Sequence, residues 1–447
     1  METRQALTGW GRTAPSVARV VRAGDDAELV RALAAADRRG VLARGLGRSY
    51  GDAAQNGGGL VLDMTARRRL LSVDADRALV TVEAGASLDT LMRTLLPQGL
   101  FVPVTPGTRQ VTVGGAFAAD IHGKNHHRDG SFARHVTSLD LLTADGTVRS
   151  LTPEDDLFWA TAGGMGLTGV VLRATIRMQR VESAFCLVDT ERTTDLDDAL
   201  TRMEEGDDRY AWSVAWIDCL ARGASLGRSV LTRGRPAPRA GLPRGLREDP
   251  LAFRPPRPLP TPAVFPGGLL NRATITAFND VWYHKAPRER RDEVQGFAHF
   301  FHPLDGVAGW NRLYGPAGFL QYQLVVPFGA EDALRRCVGL LSATGHGSFL
   351  AVLKRFGPAS AGHLSFPLPG WTLALDLALT PDLGALLDRL DEEVVQAGGR
   401  LYLAKDSRAP AGLIPQMYPR LGEWRAIRTA VDPTGVFTSD MARRLEL

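Results

Sequence analysis

The chain has 447 residues, 44% of them apolar and 23% charged. These proportions exclude a disordered or fibrous chain, and at roughly 100–200 residues per domain the length points to two or three domains. The net charge of +4 is concentrated in one segment, 231–262, where seven arginines face only Glu248 and Asp249; the remainder is nearly neutral, which argues against a nucleic-acid partner.

No apolar run of about 18 residues is present to span a bilayer, and Met1-Glu-Thr-Arg-Gln leads into no apolar signal core. Three cysteines (Cys186, Cys219, Cys337) without a C-x-x-C pair make no disulfide framework. The expected setting is the cytoplasm or the periphery of a membrane, with its periplasmic face the alternative. Only four of the 53 basic residues are lysine: Lys124, Lys285, Lys354 and Lys405. Where arginine serves as the ordinary cation, a lysine marks a place that needs a compact ammonium or an amine whose pKa burial can lower.

Residues 26–40 show apolar positions at helical spacing with acids at the N-terminal end. A strand at Val41 breaks into a glycine-rich loop, and further strands are expected at Leu60 and Ala78. Ser87 caps a helix through Leu96. Strands at 139–143 and 147–151 flank Asp145-Gly146, a hairpin signal. An alternating run from Val170 closes a first region near residue 183. A second region, 184–399, carries strands around 211–217 and 319–326 and helices at 331–343 and 382–397. It is interrupted by the 231–262 segment, whose nine prolines predict a mobile basic surface loop. That loop is either simply solvated or a patch for a phosphorylated lipid or an anionic membrane face, where each arginine contributes about 1 kcal/mol. Residues 400–447 are polar and helical. The fold class is α+β with two sheet-bearing domains.

Two glycine-rich loops carry an anion-binding signal: Ala43-Arg44-Gly45-Leu46-Gly47-Arg48-Ser49-Tyr50-Gly51-Asp52 and Pro106-Gly107-Thr-Arg-Gln-Val-Thr112-Val113-Gly114-Gly115. Glycine lets backbone amides approach a diphosphate closely, and two such loops in one domain reinforce each other. Gly164-Met-Gly-Leu-Thr-Gly169 matches a dinucleotide fingerprint, but a helix-like segment precedes it and a strand follows, which is the reverse of what that fingerprint needs. His122, His126 and His127 sit in a loop without an acidic third ligand, so no metal site is expected; His122 and Lys124 instead supply a base and a cation together.

These loops, in this order, resemble the vanillyl-alcohol oxidase type of FAD flavoproteins, and most closely its branch that oxidises lipid-phosphate-linked ribose. Further stretches carry the resemblance: Thr8-Gly-Trp-Gly-Arg-Thr-Ala-Pro, Asp120-Ile-His-Gly-Lys-Asn-His-His, Tyr314-Gly-Pro-Ala-Gly-Phe-Leu-Gln-Tyr-Gln, Leu401-Tyr-Leu-Ala-Lys-Asp-Ser-Arg and Ser439-Asp-Met-Ala-Arg-Arg. The resemblance implies an FAD-binding domain, 1–183 completed by 400–447, and an antiparallel-sheet substrate domain, 184–399. It implies FAD contacts from residues 43–53, ending at Ala53, and from Gly107, Thr112, Val113, Gly114, Gly115, His122, Gly123, Lys124, Asn125, Val171 and Tyr402. Tyr50, Trp216, Gln323, Lys354, Phe356, Ala374 and Lys405 are implied to line the substrate pocket.

The implied chemistry is oxidation of the 2′-hydroxyl of a polyprenyl-phosphoryl ribose to the 2′-keto sugar. An NADH-dependent keto-reductase partner would then return it as arabinose, the donor for cell-wall arabinan. Lys405 and His122 are both candidates for the base that removes the hydroxyl proton. The competing readings are an FAD oxidase of a soluble polyol or aldonolactone, and a flavin-free lipid-phosphate carrier.

Two departures matter. Covalent flavoproteins of this type often take the bond from a histidine in the first glycine loop; here Arg48 stands there, so non-covalent FAD is expected. Inhibitor-sensitive relatives carry a pocket cysteine on the strand after Phe-Pro-x-Pro-Gly-Trp; here that position is Ala374.

Overall fold

Val41–Arg44 and Leu60–Asp63 are short apolar runs, and both faces of each are covered. They pair in parallel inside a four-stranded sheet ordered Glu2–Leu7, Ser16–Arg22, Leu60–Asp63, Val41–Arg44. The helix before them, Asp26–Ala34, is shorter than its periodicity predicts, because Asp37 accepts from the amide of Arg39 and Gly40 turns with a φ of 68°. A second, antiparallel sheet runs Leu70–Asp74, Leu79–Glu83, Val170–Arg177, Val136–Leu142, Val148–Leu151. Its hairpin forms at Asp145-Gly146 as expected, with the Asp145 carboxylate accepting from the Thr143 hydroxyl and the Thr147 amide. Ser87 caps Leu88–Leu95 by accepting from the amide of Thr90. The computed structural model that shows this describes residues 2–262 and 266–447; Met1 and residues 263–265, which fall inside the two expected domain ranges, lie outside the described residues.

The third sheet positions the site. Eight antiparallel strands run in the order Glu289–Gly296, Phe185–Thr193, Ser229–Pro236, Trp212–Ile217, Ala351–Phe356, Gly370–Ala378, Phe319–Pro327, Arg400–Leu401. Successive side chains on a strand face opposite ways. Ala215, Leu231, Leu353, Leu373, Leu375 and Leu324 turn one way into a core shared with helices Leu196–Gly206, Glu331–Thr344 and Leu383–Gln396. Their neighbours Val214, Trp216, Thr232, Val352, Lys354, Ala374, Gln321 and Gln323 turn the other way, onto a cavity shared with the first two sheets.

Two expectations need correction. Residues 231–236 belong to the strand Ser229–Pro236, so the irregular segment begins only at Ala237. The arginines hide the strand's alternation: Leu231 and Arg233 share its covered face, and Arg233 is buried in an ion pair with Glu191 while donating to the Arg202 carbonyl. The 399/400 domain boundary also cuts the large sheet, because Arg400–Leu401 pairs with Val325 and Leu324. The C-terminal segment therefore contacts both the large sheet and the sheet that holds Val41. Val436 and Phe437 lie beside Val41, and Ser439 caps Asp440–Leu445.

Arg444 on that last helix pairs with Asp52 at 2.8 Å and with buried Asp406 at 2.9 Å, tying the C-terminus to the first glycine loop. Arg444→Ala removes the cation from buried Asp406, leaving it only the amides of Arg408 and Ala409, and is expected to cost about 3 kcal/mol. A urea midpoint equal to that of the unsubstituted protein would show that apolar contacts alone hold the helix.

Candidate active site

The strand Val41–Arg44 ends by throwing its chain across the cavity, and Gly45 to Tyr50 line the wall. A Cβ on Gly45 would stand 2.2 Å from the Thr112 hydroxyl oxygen, so the two glycine-rich loops touch at a point where only glycine fits. Gly47 has a φ of 63°, and its missing Cβ leaves room for the Arg44 guanidinium. Thr112 caps Val113–Ala118 by accepting from the amide of Gly115. Gly107, Thr112, Gly114 and Gly115 face the same space as the first loop, as do Ala43, Ala53, Gly123, Val171 and Tyr402. The cavity is about 810 Å³. Its paired glycine loops and the buried Arg48 Nε, which lacks a hydrogen-bond partner among the described residues, fit an anionic dinucleotide. The Arg48 guanidinium lies over the Trp10 ring at 3.9 Å.

Five expected contacts lie behind the wall instead of on it. Gly51 packs against the Asp406 carbonyl, Asp52 is held by Arg444, and Val113 is in the apolar core. Asn125 donates to the Pro103 carbonyl and to Asp129, and Phe356 supports the His122 ring at a centroid distance of 4.8 Å. Arg44 lines the cavity, but its guanidinium is committed to the carbonyls of Ala54 and Thr8. Trp216 lines it with its indole N–H donated to the Phe349 carbonyl.

His122 is presented by a rigid turn. Asp120, buried with a φ of 38°, accepts from Ser131, Ser365 and the amide of Ala133. The Gln323 amide nitrogen donates to His122 Nε2 at 3.0 Å and to the Thr372 hydroxyl at 3.1 Å, and Thr372 gives its own proton to the Leu324 carbonyl. Thr372 thereby orients the amide, and the amide fills the Nε2 lone pair. The network assigns the ring proton to Nδ1, which faces Lys354 Nζ at 3.3 Å, so that amine accepts in its neutral form. The charges agree. Burial and nearby Lys124 bring Lys354 down to about 7, and burial followed by Lys354 holds His122 well below the usual histidine range. His126 and His127 turn elsewhere, to the Gly357 amide and the Tyr210 carbonyl.

All four lysines of the chain line this one cavity. Lys124 is spent on the wall, donating to the Phe300 carbonyl and lying 4.1 Å from the Phe300 ring centre, with burial lowering it to about 8. Lys405 differs. Its amine sits 3.8 Å from the centre of the Tyr50 ring and makes no hydrogen bond among the described residues. Burial holds it below the ordinary lysine value, with Asp376 opposing and Lys354 adding to the shift.

Asp376 was invisible as a site residue in the sequence. It is buried and raised above the usual carboxylate range by that burial; one oxygen accepts from Gln321, and the other has no partner among the described residues. The strand period was the available signal, since Thr372, Ala374 and Asp376 share one face, as do Gln321 and Gln323 opposite them. Cys186, Cys219 and Cys337 are buried, and burial raises each thiol above its ordinary value. None of them lines the cavity.

Residues 17–152 match the family model described as an FAD binding domain, and residues 384–445 match the one described as D-arabinono-1,4-lactone oxidase. The chain is 51% identical to the decaprenylphosphoryl-β-D-ribose oxidase of Mycolicibacterium smegmatis, over 100% of this chain and 98% of that one. The chain belongs to that family of FAD flavoproteins. FAD is its cofactor. The chain is also 46% identical to an uncharacterized Streptomyces coelicolor protein from the mprA 5′ region, over 81% of this chain and all of that one. It is 26% identical to the L-gulono-1,4-lactone dehydrogenase of Mycobacterium tuberculosis, over 97% and 96% of the two chains.

Ala374 sits on the cavity wall between Gln323 and Val352 and presents no nucleophile. Nitroaromatic inhibitors that react with a pocket thiol are therefore expected to leave no adduct on this protein, and Ala374→Cys to gain one, read by intact mass. An adduct on the unsubstituted protein would overturn the assignment of this wall.

Proposed function

We propose that this protein oxidises the 2′-hydroxyl of a polyprenyl-phosphoryl ribose to the 2′-keto sugar. A single observation carries the reading: an unbonded lysine amine stands in a cavity bounded by two interlocking glycine loops, in a chain 51% identical along its whole length to a decaprenylphosphoryl-β-D-ribose oxidase. Bound FAD supplies the hydride acceptor; Arg48, in place of a histidine, makes its attachment non-covalent.

The residues divide the remaining work. Gly45, Gly47, Gly107, Gly114 and Gly115 admit the cofactor's phosphates to backbone amides. His122 cannot take a proton without losing the Gln323 hydrogen bond, because that bond occupies its Nε2 lone pair. The base is therefore Lys405, whose amine is free and which burial biases toward the neutral form. Tyr50 holds that amine by its ring face, and Asp376 limits the shift so that the amine titrates within a working range. Gln323, His122 and Lys354 form a neutral hydrogen-bonding wall beside the sugar. The keto product then passes to an NADH-dependent reductase that returns it as the arabinose epimer used in cell-wall arabinan, and the lipid tail brings the protein to a membrane surface.

Anaerobic addition of polyprenyl-phosphoryl ribose should bleach the flavin, and aldonolactones should not; bleaching by aldonolactones alone would overturn the proposal. Acid precipitation should release all the flavin. Lys405→Ala should retain FAD yet slow bleaching by about 10²-fold. The sign with pH is set by the lowered Lys405 pKa: a base works deprotonated, so the rate should rise with pH to a plateau reached below the ordinary lysine value, and the variant should lose that rise. A variant with unchanged rate and pH profile would move the base elsewhere.

A further inference from the structure

Among the described residues, large apolar side chains left in water are scattered singly except in one stretch of chain. Leu259, Leu269, Phe278, Val281 and Trp282 are all exposed within one stretch of chain, Leu259 at 70% and Val281 at 65%. The last three lie on Arg272–Lys285, a helix whose buried positions are Ile275 and Asn279. Residues 278, 281 and 282 are three and four apart, so they form one outward ridge. The helix thus turns an apolar face to solvent, the opposite of what packing against the domain alone requires.

We propose that this helix, with exposed Leu269 just before it and exposed Leu259 on the short strand Leu259–Pro260, is the surface by which the protein lies on an anionic lipid bilayer. The inference rests on the lipid-linked substrate proposed above and adds where the lipid meets the protein. Three observations favour a bilayer over a protein partner. First, the ridge is continuous with the cavity: Trp282 and Lys285 line its mouth, and rings in contact run inward from Phe278 through Phe349, Tyr314 and Phe319 to Tyr50. A folded partner seated here would close the mouth, whereas a bilayer would open onto it.

Second, the ridge is flanked by cations. Arg272 and Lys285 end the helix and Arg288 follows it, all exposed and without an ion pair among the described residues, whereas Asp280 is taken up by Arg228 and His284. Aromatic and apolar side chains rimmed by cations match a headgroup boundary. Third, five partly exposed side chains fall well short of the ~800 Å² per partner that a stable protein interface buries.

The test uses the full-length FAD-loaded protein and sedimentation with vesicles of phosphatidylcholine, alone or with phosphatidylglycerol. The protein should sediment with the anionic vesicles, less so at high salt. Leu259→Asp with Val281→Asp, neither of which lines the cavity, should weaken that binding about tenfold or more while flavin content stays the same. Bleaching by a short-tailed, water-soluble lipid-phosphate ribose should be unchanged. If the double variant fails to fold, Val281→Asp alone reads the same surface. Undiminished vesicle binding by the variant, no binding by the unsubstituted protein, or a dimer that the variant dissolves would each overturn the proposal. Vesicle binding without any bleaching would instead strike the substrate reading and leave the surface standing.

Discussion

Desolvation of amines governs the centre of this protein. Lys354 and Lys405 line the same cavity, burial lowers both, Lys124 lowers Lys354 and Lys354 lowers Lys405, and buried Asp376 is the carboxylate set against Lys405. Charged ammonium groups crowded away from water are costly, so the fold tilts these amines toward neutrality. Neutral amines can accept. That is why Lys354 takes the Nδ1 proton of His122 as a hydrogen bond and why Lys405, the base of the proposed reaction, needs no histidine to activate it. Arginine at either position would stay charged and would close this chemistry.

The large sheet makes that crowding possible. Its period of two sends leucines to the helices on one face and Gln321, Gln323, Lys354 and Ala374 to the cavity on the other, with Asp376 buried on that same face, so polar groups from three strands converge without any one strand being polar. Thr372 illustrates the consequence. It touches the reacting region only through Gln323, yet by giving its proton to the Leu324 carbonyl it decides which end of the amide meets His122. The opposite wall is equally constrained, since Gly45 and Thr112 approach so closely that neither loop can shift without the other.

The same cavity reaches the outside through a helix whose exposed face is apolar. Phe278 is joined by ring contacts to Tyr50, beneath the Lys405 amine, so the outer surface and the reacting groups belong to one packed array. The Pro/Arg segment, which composition singles out as the basic surface, has one of its arginines buried against Glu191 and another paired with Asp292. Net charge along the chain is a poor guide to charge on the surface, because ion pairs form between strands distant in sequence.

By itself the sequence determined the α+β class, the two glycine loops, the Ser87 cap and the Asp145-Gly146 hairpin, and singled out the lysines, because each rests on local chemistry. A Gly-x-Gly run, a Ser before a helix or a residue type kept against a compositional bias can all be read without knowing what lies opposite. Tertiary structure alone decided that residues 231–236 form a strand, that Arg400–Leu401 joins the large sheet, that Asp376 answers Lys405, and that Phe356 and Asn125 stand behind the wall. Each of those depends on strand register and on burial, and burial is a sum over neighbours contributed by segments hundreds of residues apart.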